Sequence, residues 1–598
     1  MTDIIKKIFY LLPKGDAVKV AALFLMMLLA AFLELAGIGM IPAFVAVVAV
    51  PDRVLGFKPI DPIFTYLDIS SAQDLLLFGS ISLVLIFILK SAYLLFFAYI
   101  ESRYLNNRRY IISLRMMSTY MQAPYTFRLN KNSSELLKNV NGEVNKIVNN
   151  IIQALLRIAK DGFMMITILG FLLYFDPIIT LVVLMLSGVG AGSFIFLTQN
   201  KLKQYGEEEV ELRRKMLKAI YEGISGLKDA RILNREKEFI YKFSKEARES
   251  ANLLILTRII RQIPRPVVET TAVMGMMLIS VLLVLQGKPM EAIITTLTLF
   301  AMATVRLMPA FQSISSMYTG LQYNLATLNP VYNDLKLLEK EVQQLQEDRK
   351  NSKKIVFKDR IEINNLTYIY PNSTEKALDN VSLTIPKGKA IAFVGESGAG
   401  KTTMVDLLLG LMKPTKGNIT VDGTDIHKNL SGWQKNIGYI PQSIFFADDS
   451  IRRNIAFGIP EKEIDDEKIK KAVESAQLGK LQESLPKGLE TNIKEHGARL
   501  SGGQRQRVGI ARALYHNPEV LVMDEATSAL DNITEQQITK AIEALIGERT
   551  IIMIAHRLTT VMNCDRLYLM ENGKIIQEGT YNELVEKSSL FREMAFEA

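Results

Sequence analysis

Six long apolar segments crowd the first part of this 598-residue chain, at 18–49, 75–100, 151–175, 178–199, 262–286 and 291–320. Each is long enough to cross a bilayer core of about 30 Å at 1.5 Å per helical residue. That pattern predicts a membrane-spanning helical half before any motif is considered. The third and fourth segments are joined by the tight run Tyr174-Phe175-Asp176-Pro177, the fifth and sixth by Gln286-Gly287-Lys288-Pro289. The stretches 101–150 and 200–261 are instead long, polar and basic, with Arg103, Arg108, Arg109 and Arg115 as examples. The positive-inside rule places both in the cytoplasm, and an even number of crossings puts the N-terminus and the C-terminal half there too. Asn132 to Asn150 and Tyr205 to Tyr221 read as helical, so the membrane helices are expected to continue well below the bilayer.

The chain is too long for one core and predicts at least two domains. Hydrophobic residues make up 49% of it and the formal charge is +9. A basic balance suits nucleic acid or a membrane surface, and the clustering of Lys and Arg beside the apolar runs favours the membrane. The single cysteine, Cys564, excludes an internal disulfide framework and a cysteine-based zinc site. The opening MTDIIKKIFYLLPKGD shows no small-residue cleavage site before the first apolar run, so no removable signal peptide is expected.

Chemistry is concentrated in the other half. Gly395 to Thr402 reads GESGAGKT and fits G-x-x-x-x-G-K-[ST], with Gly395, Glu396, Ser397, Gly398, Ala399, Gly400, Lys401 and Thr402 in order. A strand-like run, Ala390 to Val394, precedes it, and a helix-like run from Thr403 to Leu411 follows. This context makes the motif a phosphate-binding loop. Its glycines let backbone amides converge on phosphate oxygens; Lys401 is placed for the β- and γ-phosphates and Thr402 for Mg²⁺. The run VLVMDE, Val520 to Glu525, is an apolar strand ending in two carboxylates. Asp524 suits a water-mediated Mg²⁺ role and Glu525 polarisation of the attacking water.

The phosphate loop, the LSGGQ of Leu500 to Gln504 and the Asp524-Glu525 pair together resemble the ATP-binding-cassette (ABC) ATPases. On that resemblance Tyr370 stacks on adenine, Thr403 joins the nucleotide site, and Gln442 senses Mg²⁺ and the membrane domain. Asp531 lies in the loop that crosses to the partner, and His556 contacts the γ-phosphate. Ser501, Gly502, Gly503 and Gln504 then close over ATP held by a second subunit, as oriented amides at a helix start can. ATP and Mg²⁺ are the implied cofactors and a second copy of the chain the implied partner. The implied fold is a type IV exporter-like six-helix transmembrane domain over residues 1–328, a linker over 329–357, and an α/β P-loop ABC ATPase over 358–598. Asn132–Leu136 and Leu227–Leu233 fall where such exporters place the short helices that dock on the ATPase. Six membrane helices ahead of the ATPase argue against a soluble ABC protein acting on nucleic acid or ribosomes. An ATP-gated channel would want a regulatory segment that the sequence does not show.

Cargo must be read from ionisable residues inside apolar helices, which are costly and functional by default. Lys90, Arg265 and Arg306 are the cationic candidates, Glu34 and Glu269 their potential partners. Lys90 lies about 22 Å along its apolar run, and all three cations fall toward the inner leaflet. Snorkelling to inner-leaflet phosphates is the alternative for Lys90 and Arg265. A cationic inner cavity suits a lipid headed by phosphate or diphosphate. Here the runs Glu34-Leu35-Ala36-Gly37-Ile38-Gly39, Asn132-Ser133-Ser134-Glu135-Leu136 with Gly142-Glu143-Val144, and Arg306-Leu307-Met308-Pro309-Ala310 resemble the lipid-linked oligosaccharide flippases of bacterial protein N-glycosylation. So does ESGAGKTTMVDLLLGLMKP. This implies outward movement of a polyprenyl-diphosphate oligosaccharide across a bacterial inner membrane. Pro51 to Ser71 would then hold a short external helix touching the lipid tail, or else an ordinary outer loop. Related exporters of lipid A, drugs or peptides share the architecture and stay open as alternatives.

Overall fold

The apolar runs fold as long helices. A computed structural model describes residues 2–13, 15–49, 71–175, 177–285, 287, 290–371, 373–494, 497–524, 539–540, 542–555 and 557–596. A short amphipathic helix α1, Thr2–Leu11, precedes α2, Asp16–Ala49, and α3, Ala72–Gln122. Then come α4, Gln153–Phe175, and α5, Pro177–Ser225, followed by α6, Glu236–Gln262, and α7, Pro264–Leu285. Helix α8, Met290–Asn324, carries Pro309 inside it, and α9, Leu328–Asn351, follows after one short 3₁₀ turn. Among the described residues, three stretches are long and apolar enough by composition to cross a membrane: Asp16–Ile41, Ala72–Gln122 and Thr296–Arg349. Residues 50–70, where the external helix is expected, lie outside the described residues.

The helices run far past any bilayer thickness, as the polar helical loops require. The segment expected to be α-helical from Asn132 to Asn150 is wound differently. After a short α-helix at Ser133–Leu137, Lys138–Glu143 and Ile147–Ile152 are π-helical, with one α turn at Val144–Lys146 between them. Apolar periodicity does not distinguish the two windings.

Two compact units partition the chain: Met1–Gln122 with Lys131–Glu339, and Ala123–Asn130 with Lys340–Ala598. In the helical unit, two arginines that the sequence presents as topology signals are structural. Arg108 pairs with Asp16 at 3.2 Å, both side chains buried, and Tyr104 donates to the same Asp16 oxygen at 3.2 Å. Arg115 grips Glu339 through two nitrogens at 2.5 and 2.8 Å, and Tyr10 donates to that carboxylate at 2.6 Å. Bidentate Arg–carboxylate geometry fixes α1, α3 and α9 against one another.

The nucleotide unit is a two-sheet α/β body. Its strands are β1, Arg360–Ile369; β2, Lys376–Pro386; β3, Ala390–Val394; β4, Lys416–Val421; and β5, Thr424–Asp425. They continue as β6, Ile437–Ile440; β7, Val520–Asp524; β8, Thr550–Ile554; β9, Arg566–Glu571; and β10, Lys574–Gly579. An antiparallel sheet runs β2-β1-β4-β5; the main sheet runs β10-β9-β3-β8-β7-β6, parallel except at the β10 edge. Both faces of the main sheet are covered, so its central strands read as unbroken apolar runs. The alternation of side chains across a strand divides them: Ala390, Ala392 and Val394 enter one core, Ile391 and Phe393 the other. Leu521 and Met523 separate from Val520 and Val522 in the same way. Ile355 and Phe357, at the end of the expected linker, are buried in this unit, where Ile355 bonds to Gly432 and Asn436.

Candidate functional site

The phosphate loop leaves the C-terminal end of β3 and enters helix α10, Lys401–Leu408. The helix begins two residues before the expected Thr403, because Gly400 adopts φ 100° and caps it in a left-handed conformation. Gly395 has φ 144°, and a Cβ there would meet the Met570 carbonyl oxygen at 2.2 Å. Only glycine fits such a position. Lys401 is buried, and its Nζ donates to the carbonyls of Gly395 and Glu396 at 2.7 and 2.8 Å. The ammonium is thus folded back over the loop by two of the loop's own carbonyl dipoles. Glu396, Ser397 and Gly398 are exposed, Gly395 and Ala399 buried, Gly400 half-buried.

Thr402 is exposed at the start of α10 and Thr403 is buried. Thr403 shares a 2.9 Å hydrogen bond with the Tyr370 hydroxyl, and the Tyr370 ring meets Tyr368 edge-on at 5.0 Å. Tyr370, expected to stack on adenine, is therefore oriented from below by the helix that carries the phosphate loop. Asp524 is buried at the end of β7. Gln442 is exposed just beyond β6. Glu525, Asp531 and His556 lie outside the described residues. Cys564 is buried, which pushes its thiol up to about 12 and suits a bystander.

Two residues belong to this site that the motifs do not announce. Asp406 lies four positions after Thr402, on the same face of α10. Burial and the neighbouring Asp524 carboxylate push Asp406 up to about 6. That spacing is a signal the sequence offered. Tyr439, on β6, is pushed up by burial, then by Asp524 and Asp406, with Tyr125 adding to the effect. Tyr125 opens the short helix Tyr125–Leu129. The segment that belongs with the nucleotide unit is thus Ala123–Asn130, a few residues before the expected Asn132–Leu136, which lies in the helical unit.

Helix α11, Gly502–Leu514, starts from LSGGQ. Ser501 is its N-cap, and with Gln504 it forms a reciprocal capping box: the Ser501 amide donates to the Gln504 side chain at 2.9 Å, and the Gln504 amide to the Ser501 hydroxyl at 3.3 Å. Ser501 is exposed at the helix start, the end that favours anions. The cradle of amides, the exposed Thr402 hydroxyl and the Asp524 carboxylate fit ATP with Mg²⁺, which supplies charge neutralisation at the phosphates when bound.

In the helical unit Lys90 is buried and donates to Glu34 at 2.7 Å. Its ammonium lies 5.1 Å from the Phe87 ring centre, and a Cβ on Gly37 would meet it at 3.0 Å. Gly37 therefore leaves the room in which the pair forms. Glu269 is exposed on α7. Arg265 is the second residue of α7, and Arg306 lies in α8 three residues before Pro309.

The ABC transporter transmembrane region family matches residues 60–308, and the ABC transporter family matches residues 378–528. This chain is an ABC exporter half-transporter. It couples ATP hydrolysis to translocation. An ATP-dependent lipid A-core flippase of Ralstonia nicotianae is 29% identical over 498 residues, 83% of this chain and 82% of that one. One of Cupriavidus metallidurans is 29% identical over 497 residues, 82% of each. In fold, the exporter is similar to a solved bacterial Atm1-family ABC exporter with ATP bound, at TM-score 0.76 and 21% identity, covering 98% of both chains. The relatives are named for lipid A-core, not for lipid-linked oligosaccharide.

Proposed function

We propose that two copies of this half-transporter form an ATP-driven flippase that moves a phosphate-headed glycolipid from the inner to the outer leaflet of a bacterial inner membrane. The observation that carries this reading is the placement of Arg306. It stands 16 residues into α8, about 24 Å along the axis. That depth lies inside an apolar helix, where an arginine is costly without a role. Arg265 stands at one end of α7. Lys90 already has a carboxylate partner in Glu34, so Arg265 and Arg306 are the stronger cargo candidates. A guanidinium matches phosphate oxygens in its planar fork. The resemblance to lipid-linked oligosaccharide flippases favours a polyprenyl-diphosphate oligosaccharide. The names of the relatives favour lipid A-core as a second reading.

The two cargoes separate in proteoliposomes. Labelled polyprenyl-diphosphate oligosaccharide and labelled lipid A-core are each placed in the leaflet facing the ATPase, and ATP-dependent loss from that leaflet is measured. Faster loss of the first supports the oligosaccharide reading and faster loss of the second the lipid A reading. ATP hydrolysis with neither lipid moving would overturn both.

A further inference from the structure

Below the apolar part of the helical unit lies a cavity of about 290 Å³ between the cytoplasmic extensions of α5, α6 and α8 and the π-helical segment before α4. Its polar lining includes Lys146, Asn150, Glu209, Arg213, Arg258 and Asn324. The cations outnumber their countercharges. Glu209 is buried and fully engaged, accepting from Arg213 at 2.9 Å and from Ser250 at 2.7 Å. Glu143, also buried, is shared between Lys146 at 3.4 Å and Lys138 at 3.8 Å. Arg258 has no carboxylate partner among the described residues. Three cations, Lys146, Arg213 and Arg258, thus line the cavity with one carboxylate, Glu209. Burial, with Arg213 and Lys138 nearby, holds the Lys146 ammonium below the usual lysine range in spite of Glu143.

The backbone around the cavity is built rather than incidental. Asn150 belongs to the π-helix Ile147–Ile152 and donates to Asn324 across the cavity at 3.2 Å. π-Helical turns gather at functional sites because they re-aim side chains that an α-helix would carry elsewhere. At Gly206 the α5 backbone crosses α8 so closely that a Cβ would lie 2.0 Å from the Tyr323 carbonyl oxygen. Arg258 lies six residues before Pro264, about 9 Å along the chain axis from the start of α7. That is the depth of lipid headgroups and the water beneath them.

We infer that this cavity binds a phosphate-type oxyanion, with Arg213 and Arg258 supplying planar donors and Lys146 a point charge. The site draws on none of Lys90, Arg265 and Arg306, so it stands independently of what the exporter carries. The oxyanion has two possible sources, a soluble phosphate compound or the headgroup of an anionic lipid, and both present the same group to these residues.

The test reads Lys146 itself, which keeps the phosphate loop of the ATPase out of the measurement. The full-length protein is placed in phosphatidylcholine nanodiscs, and acylation of Lys146 by an amine-reactive reagent is followed by peptide mass spectrometry. One arm adds inorganic pyrophosphate; the other replaces part of the phosphatidylcholine with phosphatidic acid. Occupation should slow labelling about tenfold in at least one arm, as charge-assisted contacts of this kind imply. Slowing by pyrophosphate assigns a soluble ligand, and slowing by phosphatidic acid alone assigns a headgroup. Arg258→Gln, a change at an exposed side chain, should abolish the protection while Arg258→Lys keeps part of it. Arg213→Gln gives a second reading. Unchanged labelling in both arms, or full protection in Arg258→Gln, overturns the site.

Discussion

The nucleotide unit and the helical unit bury lysines in opposite ways. Lys401 donates to two carbonyl oxygens of its own loop, which fix its ammonium over the phosphate-binding backbone. Lys90 is held by the carboxylate of Glu34, 56 positions away, and its charge is spent inside the fold. The same contrast extends to acids. Burial, then the neighbouring Asp524 carboxylate, raises Asp406 to about 6, whereas Glu339 is clasped by Arg115 and Tyr10. The nucleotide site gathers loop carbonyls and neighbouring acids around its phosphate loop; the helical unit joins opposite charges across its helices.

The comparison breaks most visibly through Glu525. Glu525→Gln should leave ATP binding intact and lower steady-state hydrolysis by roughly 10²- to 10⁴-fold, the usual contribution of a general base. Hydrolysis near the wild-type rate would remove Glu525 from that role. In the helical unit, Lys90→Ala removes the buried cation that pairs with the half-buried Glu34 carboxylate and should cost roughly 1–3 kcal/mol of stability. The double change Lys90→Met with Glu34→Gln should restore most of the melting temperature. If Lys90→Ala melts normally but stops transport, Lys90 acts on cargo and the contrast fails.

Lys401→Ala is the converse case. ATP affinity should fall by roughly 10- to 100-fold, the equivalent of about 1.5–3 kcal/mol for hydrogen bonds to a charged group. Melting without nucleotide should shift little. The smallest effect concerns Asp406, whose folded pKa stands above its unfolded value. Its contribution to stability is therefore complete below about pH 4 and lost as pH rises through about 6. After solvent screening this amounts to roughly 1 kcal/mol. Asp406→Asn should flatten the nucleotide-free melting curve over that window; an unchanged pH profile would show that burial and Asp524 do not raise Asp406 in the folded protein.

How far the sequence reveals each unit follows from what its site is made of. The nucleotide site is mostly backbone, and backbone geometry is written in local sequence. AIAFV becomes β3 with the expected ends, GESGAGKT becomes a loop of left-handed glycines, and the Ser and Gln of LSGGQ cap the helix that follows. The helical unit's charges depend on packing between distant positions. Nothing local distinguishes Arg103 on the surface from Arg108 against Asp16, or shows that Gly37 makes room for Lys90. The π-helical winding around Lys146 and the position of Tyr125 beside Tyr439 were equally out of reach, since neither changes the apolar pattern of its segment.

Arg306 carries the central claim, that this half-transporter moves a phosphate-headed lipid, and one set of proteoliposomes tests it. Flipping of a diphosphate-headed lipid, ATPase rate and melting temperature are measured together on wild type, Arg306→Ala and Arg306→Lys. The account predicts that Arg306→Ala loses roughly 10- to 100-fold in flipping, with basal ATPase and melting little changed, and that Arg306→Lys recovers part of the loss. Normal flipping by Arg306→Ala, or a fall in melting temperature and ATPase that accounts for the lost transport, would contradict it.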